Sequence, residues 1–583
     1  MDLQTTTFSS THVNKADDAS AELPPSPSHG LRPEPAQAAS IDIEAFSIDE
    51  PVAVPRTRFR MFAILVALFL SLFIAALDAT IVATAIPTIS SELNSASGYT
   101  WVGGAYLLAN AAGSPIWSKL SDIWGRKPIL LAAVAMFFGS SIMCAKAPSM
   151  GLLIVGRSFQ GTAGGGLIQL VNITISDLFS MRSRSLYLGL LEFVWALAGG
   201  IGPIIGGVLA EYVSWRWIFW INLPVSGITF FLILIFLDVH NPKTKILEGI
   251  KAIDWWGSMS ILGLTLMLLL GLDFGGVLFA WKSATVICLI VFGSLMSILF
   301  VFSEKRLARY PLMPLDLFRN RSNVASLVLC FLHGVVFVAG EYYMPLYFQS
   351  VHSASPSRSG LLVLPITFGA ALMGITAGFA IHRSGRYLKI IWVGTVLLTI
   401  GTALYIHFDV RSSIAEIIVV ETIAGFGGGL LFEPPLIALQ ASVPQKDVAT
   451  ATATFGFIRN LATSLSVVIG GVIFQNCMET RAPFLKAAGV QDTLVQKFSG
   501  GEAAANILLI GAIQDANQQR AVKEAFAWSL RFIWVFYACI AGCGVVTGFF
   551  IVRQVLSEEH VETKTGISDV KDNTTSRNDT IAP

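Results

Sequence analysis

Charge is what this 583-residue chain has least of. Asp, Glu, Lys and Arg make up 13% of it, about half the share of a soluble domain. Basic and acidic residues nearly cancel, at 39 against 38, so no strong field exists to hold a nucleic acid. The six cysteines show no CxxC or zinc-type spacing and read as small core residues rather than a redox or metal framework. No Gly-Lys dipeptide occurs, which excludes a Walker A loop and an ATP motor in this chain. There is no HExxH, no GxSxG elbow and no metal cluster, so an embedded enzyme has no catalytic set and no cofactor is expected. No apolar segment follows Met1, so a cleaved signal peptide is not expected.

What is present is apolar. Hydrophobic residues make up 54% of the chain, and runs of about 20 recur from Met61 to Val552. Backbone groups in hydrocarbon must bond internally, and the runs are too long for barrel strands. The expected fold is therefore all-α and polytopic, with fourteen transmembrane helices. Seventeen Lys and Arg residues fall in one set of short loops and five in the other, which places the first set and both termini in the cytoplasm. The Ser-, Thr- and Pro-rich start (1–59) and the polar end (553–583) read as disordered tails. An outer loop covers about 476–527, with an amphipathic surface helix expected near 503–526.

One connection concentrates charge. Ser118–Pro128 reads SKLSDIWGRKP, with Asp122, Gly125, Arg126 and Lys127 packed into a short turn between two spans. Gly125 permits the turn. Asp122 can pair with a base or cap a helix at its positive end. The segment GFAIHRSGRY (Gly378–Tyr387) repeats the Gly-Arg step 260 residues later; Gly161 and Gly425 are 264 apart, and the GGG runs that follow them, from Gly164 and Gly427, are 263 apart. Two six-helix halves, 60–237 and 323–552, are expected, with two linker helices inserted at 238–322. Paired halves around a midplane site suit a transporter.

Charge inside a span is costly and marks function by default. Asp78, Glu192, Glu341, Glu421 and Glu433 are in-span acids, and Arg157 and Arg459 in-span bases. They are the candidates for proton and substrate coupling, with Asp78 foremost. Each has a structural alternative, such as Asp78 and Arg157 stapling two helices together. Gly202, Pro203, Gly206 and Gly207 combine close helix approach with a bend. His333 reads as a packed core histidine.

These segments resemble the major facilitator superfamily, and more narrowly its fourteen-spanner drug:proton antiporters of fungal type. LDATIVATAIP (Leu77–Pro87) is similar to the first-helix motif of that family. The Ser118–Pro128 turn resembles its loop motif, with Ser118 in place of Gly. GRSFQG (Gly156–Gly161), AGGIGPIIGG (Ala198–Gly207) and WRWIFWINLP (Trp215–Pro224) follow in order. The resemblance implies that Arg126 pairs with Asp177 and that Asp122 caps a helix of the other half, latching the cytoplasmic side. It also implies that the bend at Pro203 gates the outward path. The expected activity is proton-coupled export of drugs, fungicides or secondary-metabolite toxins by a monomer in the plasma membrane. A vacuolar proton-coupled amino-acid transporter is the alternative.

Overall fold

The computed structural model describes residues 57–93, 98–276, 279–308, 310–560 and 565–566. Nearly all of the first expected tail and most of the second lie outside the described residues. Among the described residues the chain is helical, with one isolated β-bridge between Gly275 and Phe279. The long helices are α1 (Arg58–Ile81), α2 (Gly98–Trp124), α3 (Arg126–Ala145), α4 (Met150–Leu178) and α5 (Met181–Tyr212). They continue as α6 (Trp217–Phe236), α7 (Trp255–Phe274), α8 (Ala284–Arg306), α9 (Arg321–Ser350) and α10 (Pro356–Ser384). The last four are α11 (Leu388–His407), α12 (Ile414–Gln440), α13 (Val448–Ala487) and α14 (Ala516–Gly548). Twelve of these are long and apolar enough to cross a membrane. The other two, α2 and α4, have 27 and 29 residues, and a count of fourteen spans remains a proposal.

Ser or Asp side chains accept from the first-turn amides of α4, α5, α7, α8, α10, α12 and α14, supplying partners that the helix itself cannot. The two halves share a packing device. A Cβ on Gly161 of α4 would collide with the Tyr106 carbonyl of α2, and one on Gly425 of α12 would collide with the Ile366 carbonyl of α10. One turn on, Gly165 meets the Asn110 carbonyl and Gly429 the Ala370 carbonyl. The offsets are 264 on the glycine side and 260 on the carbonyl side, the same spacings the sequence repeats. Helices α7 and α8 pack on each other, and α7 also touches α2 and α13.

The end of the bundle that carries the Asp122–Lys127 turn is called the basic face here. Near it one apolar cluster spans both halves, joining Leu170, Leu178 and Leu188 to Leu327, Leu439 and Phe455. Toward the opposite face the cores are separate. Ile81, Trp215 and Phe219 belong to the first half, and Tyr343, Phe408 and Trp534 to the second. Apolar packing thus joins the halves at the basic face.

The segment expected as a loop near 476–527 differs. Helix α13 runs on to Ala487, and 3-10 turns occupy Gly500–Glu502 and Ile507–Ala512. Residues from Ala516 form the first turns of α14 rather than a separate surface helix. Val522, Ala525, Phe526 and Leu530 share one stripe, and that stripe docks on Phe474 and Phe498.

Candidate functional site: charged groups inside the bundle

Three groups of buried charge can be built up from the chain. The first lies within the first half. Asp78 of α1 forms an ion pair with Arg157 of α4, and the two residues are 0% and 1% exposed. Gln160 and Asn222 donate to the other Asp78 oxygen at 2.8 and 2.9 Å. Arg157 Nε donates to the Val102 carbonyl at 3.0 Å, and its guanidinium lies 4.5 Å from the Tyr106 ring centre. Gln160 also donates to Ser141 of α3 at 2.9 Å. Five helices are thereby tied at one point. Asp78, first among the expected coupling residues, faces this closed network and not a cleft between the halves. Close behind it, Cβ atoms on Gly202 and Gly206 would collide with Thr80 and the Ile81 carbonyl, so α5 and α1 touch there. Gly207 meets nothing within 4 Å, and Pro203 lies inside α5. The Gln160 and Asn222 contacts were missed from sequence, although both residues sit in the quoted GRSFQG and WINLP segments.

The second group is the basic-face turn. Gly125 has φ 92°, a left-handed value that disfavours any side chain. This turn starts α3 at Arg126, whose Nε donates to Asp177 at 2.7 Å and whose Nη1 donates to Asp122 at 2.5 Å and Ser121 at 2.7 Å. The expected Arg126–Asp177 pair is present. The expected cap by Asp122 is corrected: its carboxylate pairs with Arg126 within the first half, and among the described residues no hydrogen bond ties it to a helix of the second. Arg126 is 2% exposed and sits one turn away, so it captures the acid. Half-exposed Lys127 stands clear of the cluster. The bonds that do cross between halves start one helix later. Arg184 donates to Gln440 at 3.2 Å, Gln440 to Ser176 at 3.0 Å, and Ser185 to the Gly378 carbonyl at 3.1 Å. In sequence Arg184 looks like ordinary loop charge.

The third group lies between the halves. Pro434 and Pro435 have no amide hydrogen, so α12 cannot stay regular before them and opens over Leu430–Glu433. The opening frees the Phe432 carbonyl, which accepts from Arg459 of α13 at 2.5 Å. The Arg459 guanidinium lies 5.1 Å from the Phe432 ring centre and 5.0 Å from that of Phe455. Glu433, at the break, lies beside Glu192 of α5, so the two acids face each other across the two halves. Glu192 also packs against Gly374 of α10. Glu192, Glu341 and Arg459 are only part-buried although they lie mid-helix, whereas Glu433 is 4% exposed. Glu341 lies beside Thr367 of α10. His333 packs face to face with Phe337 and edge-on to Phe432, with ring centres 5.7 and 4.8 Å away. Glu421 sits apart. It lies as deep in α12 as Arg157 does in α4, but it is 0% exposed in the second half near Tyr405.

The model of the Major Facilitator Superfamily matches residues 68–467. The chain is 44% identical over 486 residues to "Efflux pump dotC" of Dothistroma septosporum, covering 83% of each chain. It is 40% identical to "MFS-type transporter ppz2" of Metarhizium majus, covering 92% of this chain and 93% of that one. Among solved structures, the proton:xylose symporter XylE aligns with TM-score 0.54 at 14% identity, over 87% of this chain and 98% of its own. On this family match and these relatives, the chain belongs to the Major Facilitator Superfamily.

Proposed function

We propose that the protein is a proton-coupled exporter of amphipathic organic molecules, with Glu192, Glu433 and Arg459 as its coupling centre. The observation that carries this reading is the Glu192–Glu433 contact. Ionised carboxylates only accept, so two neighbouring acids can bond to each other only while the pair holds a proton. That proton links helices of opposite halves. Its loss leaves two like charges in contact and favours separation of the halves. Arg459 lies close enough to favour an ionised partner, which gives the proton a route to leave. Proton entry down a gradient supplies about 2.3 kcal/mol per 100 mV, before any pH difference is added. Phe432, part-buried next to Glu433, offers an aromatic face suited to a planar or cationic amphiphile such as a secondary metabolite.

Orientation follows from the basic loops, which put the basic face in the cytoplasm. The halves then meet at the cytoplasmic side, and Asp78 and Arg157 hold the first half together rather than carry the proton. The efflux pump among the relatives favours export over uptake. The test is flux in proteoliposomes under an imposed pH gradient. Glu192→Gln and Glu433→Gln are each expected to abolish the response of flux to a protonophore while substrate binding persists. Full gradient dependence in both variants would end the proposal.

A further inference from the structure

A second charged cavity, of about 560 Å³, lies at the basic face between α5 and α10. It is lined by Arg182 and Ser183 of the first half, Phe379, His382 and Arg383 of the second, and Glu558 from beyond α14. The chain after α14 reaches this place as a strap. Val552 N donates to Ser322 at 3.0 Å, Tyr387 donates to the Val552 carbonyl at 2.9 Å, and Gln554 N donates to Tyr387 at 2.8 Å. Ile551 and Leu556 are buried under the strap with Met181 and Tyr387. Arg182 N then donates to the Ser557 carbonyl at 3.2 Å, and the Arg182 guanidinium pairs with Glu558. Arg182 also donates to the His382 carbonyl at 2.6 Å and the Arg383 carbonyl at 2.5 Å.

The balance of charge is uneven. Two arginines and a histidine face one carboxylate, and that carboxylate's side chain is 71% exposed. No acid pairs with Arg383 among the described residues. One turn deeper on the same helix, Phe379 is 52% exposed along the apolar span. A cationic rim above an exposed aromatic ring fits an occupant with an anionic head and an apolar body. The geometry points to a site for the phosphate headgroup of an anionic phospholipid, with Glu558 as the chain's own occupant in its absence. A headgroup there can bridge Arg182 and Arg383, clamping the two halves together at the basic face.

The test uses the full-length protein in phosphatidylcholine nanodiscs, with phosphatidylinositol titrated in and retention read by native mass spectrometry. Arg383→Gln is expected to weaken binding about fivefold, the effect of one basic residue near a charged surface. Arg383→Lys keeps the charge and should bind as the parent does, which separates charge from misfolding. Glu558→Gln removes the competitor and should strengthen binding, while Lys243→Gln, outside the cavity, should change nothing. Equal binding by Arg383→Gln, or weaker binding by Glu558→Gln, would overturn the site. If inorganic phosphate alone displaced the lipid at comparable concentration, the occupant would be a soluble anion and the lipid assignment would fail. Binding is read without transport, so the outcome does not depend on proton coupling.

Discussion

Replacing Arg157 with Met tests the network inside the first half. The substitution keeps a long side chain and removes the charge. Asp78 then retains only the amide donors of Gln160 and Asn222, in a place with no solvent access. Removing one partner of a buried ion pair costs about 3–5 kcal/mol. Loss of the Arg157 bond to the Val102 carbonyl adds about 1 kcal/mol. For a bundle the size of α1–α6, that corresponds to a fall in melting temperature of roughly 10–16 °C. The assay is thermal unfolding of the purified protein by intrinsic fluorescence. Asp78→Asn combined with Arg157→Met leaves no unpaired charge and should recover part of the loss, which makes the pair non-additive. On this geometry Asp78→Asn, where folded, keeps its response to a proton gradient. The sequence alone suggests the opposite, that this variant ends proton-driven flux. An Arg157→Met protein that melted with the parent would refute the staple, as would a stable Asp78→Asn protein lacking gradient-driven flux.

Arg126→Ala leaves Asp177 buried without its partner and should cost about 3 kcal/mol, whereas Lys127→Ala should stay within about 0.5 kcal/mol by the same melting assay. Gly206→Ala should lower the yield of folded protein and slow flux, because its Cβ meets the Ile81 carbonyl; Gly207→Ala, with open space around it, should do neither. At the opposite face the Arg216 guanidinium, with a hydrogen bond from the Trp215 indole, holds the Glu92 carboxyl below its usual range. A lowered folded value means that this clamp stabilises above the ordinary carboxylate range and fades as pH falls through the folded value. Melting curves of the parent and Glu92→Gln should therefore differ at neutral pH and converge in acid. A gap that persisted in acid would show that Glu92 acts through something other than charge.

Some of this architecture can be read directly from residue order. The turn at Gly125 is local chemistry, and the glycine repeat survives as matched backbone contacts, whereas the Arg126–Asp177 pair, 51 residues apart, follows from the family resemblance. Asp78 is harder. Its depth is evident from the apolar run around it, but the direction it faces depends on Gln160 and Asn222, which lie 82 and 144 residues away. The Glu192–Glu433 contact requires the register of one half against the other, which no local pattern encodes. Arg182 and Arg184 carry the same basic signal as Lys127, and only the docking of α10 and α12 separates clasp from loop charge. The extension of α13 to Ala487 escapes a hydropathy reading because its last turns are polar outward and apolar only toward α14.

The glycine-on-carbonyl contacts set a mechanical condition. Where Gly161, Gly165, Gly425 and Gly429 meet opposing backbone, the helix pairs α2/α4 and α10/α12 have no side chains between them to act as bearings. Neither pair can slide without steric collision, so each moves as a welded unit. Deformation during a transport cycle is then confined to seams with clearance, such as Gly199 and Gly207 of α5. Filling that clearance with side chains much bulkier than alanine's methyl should stiffen the machine without altering any group that touches cargo.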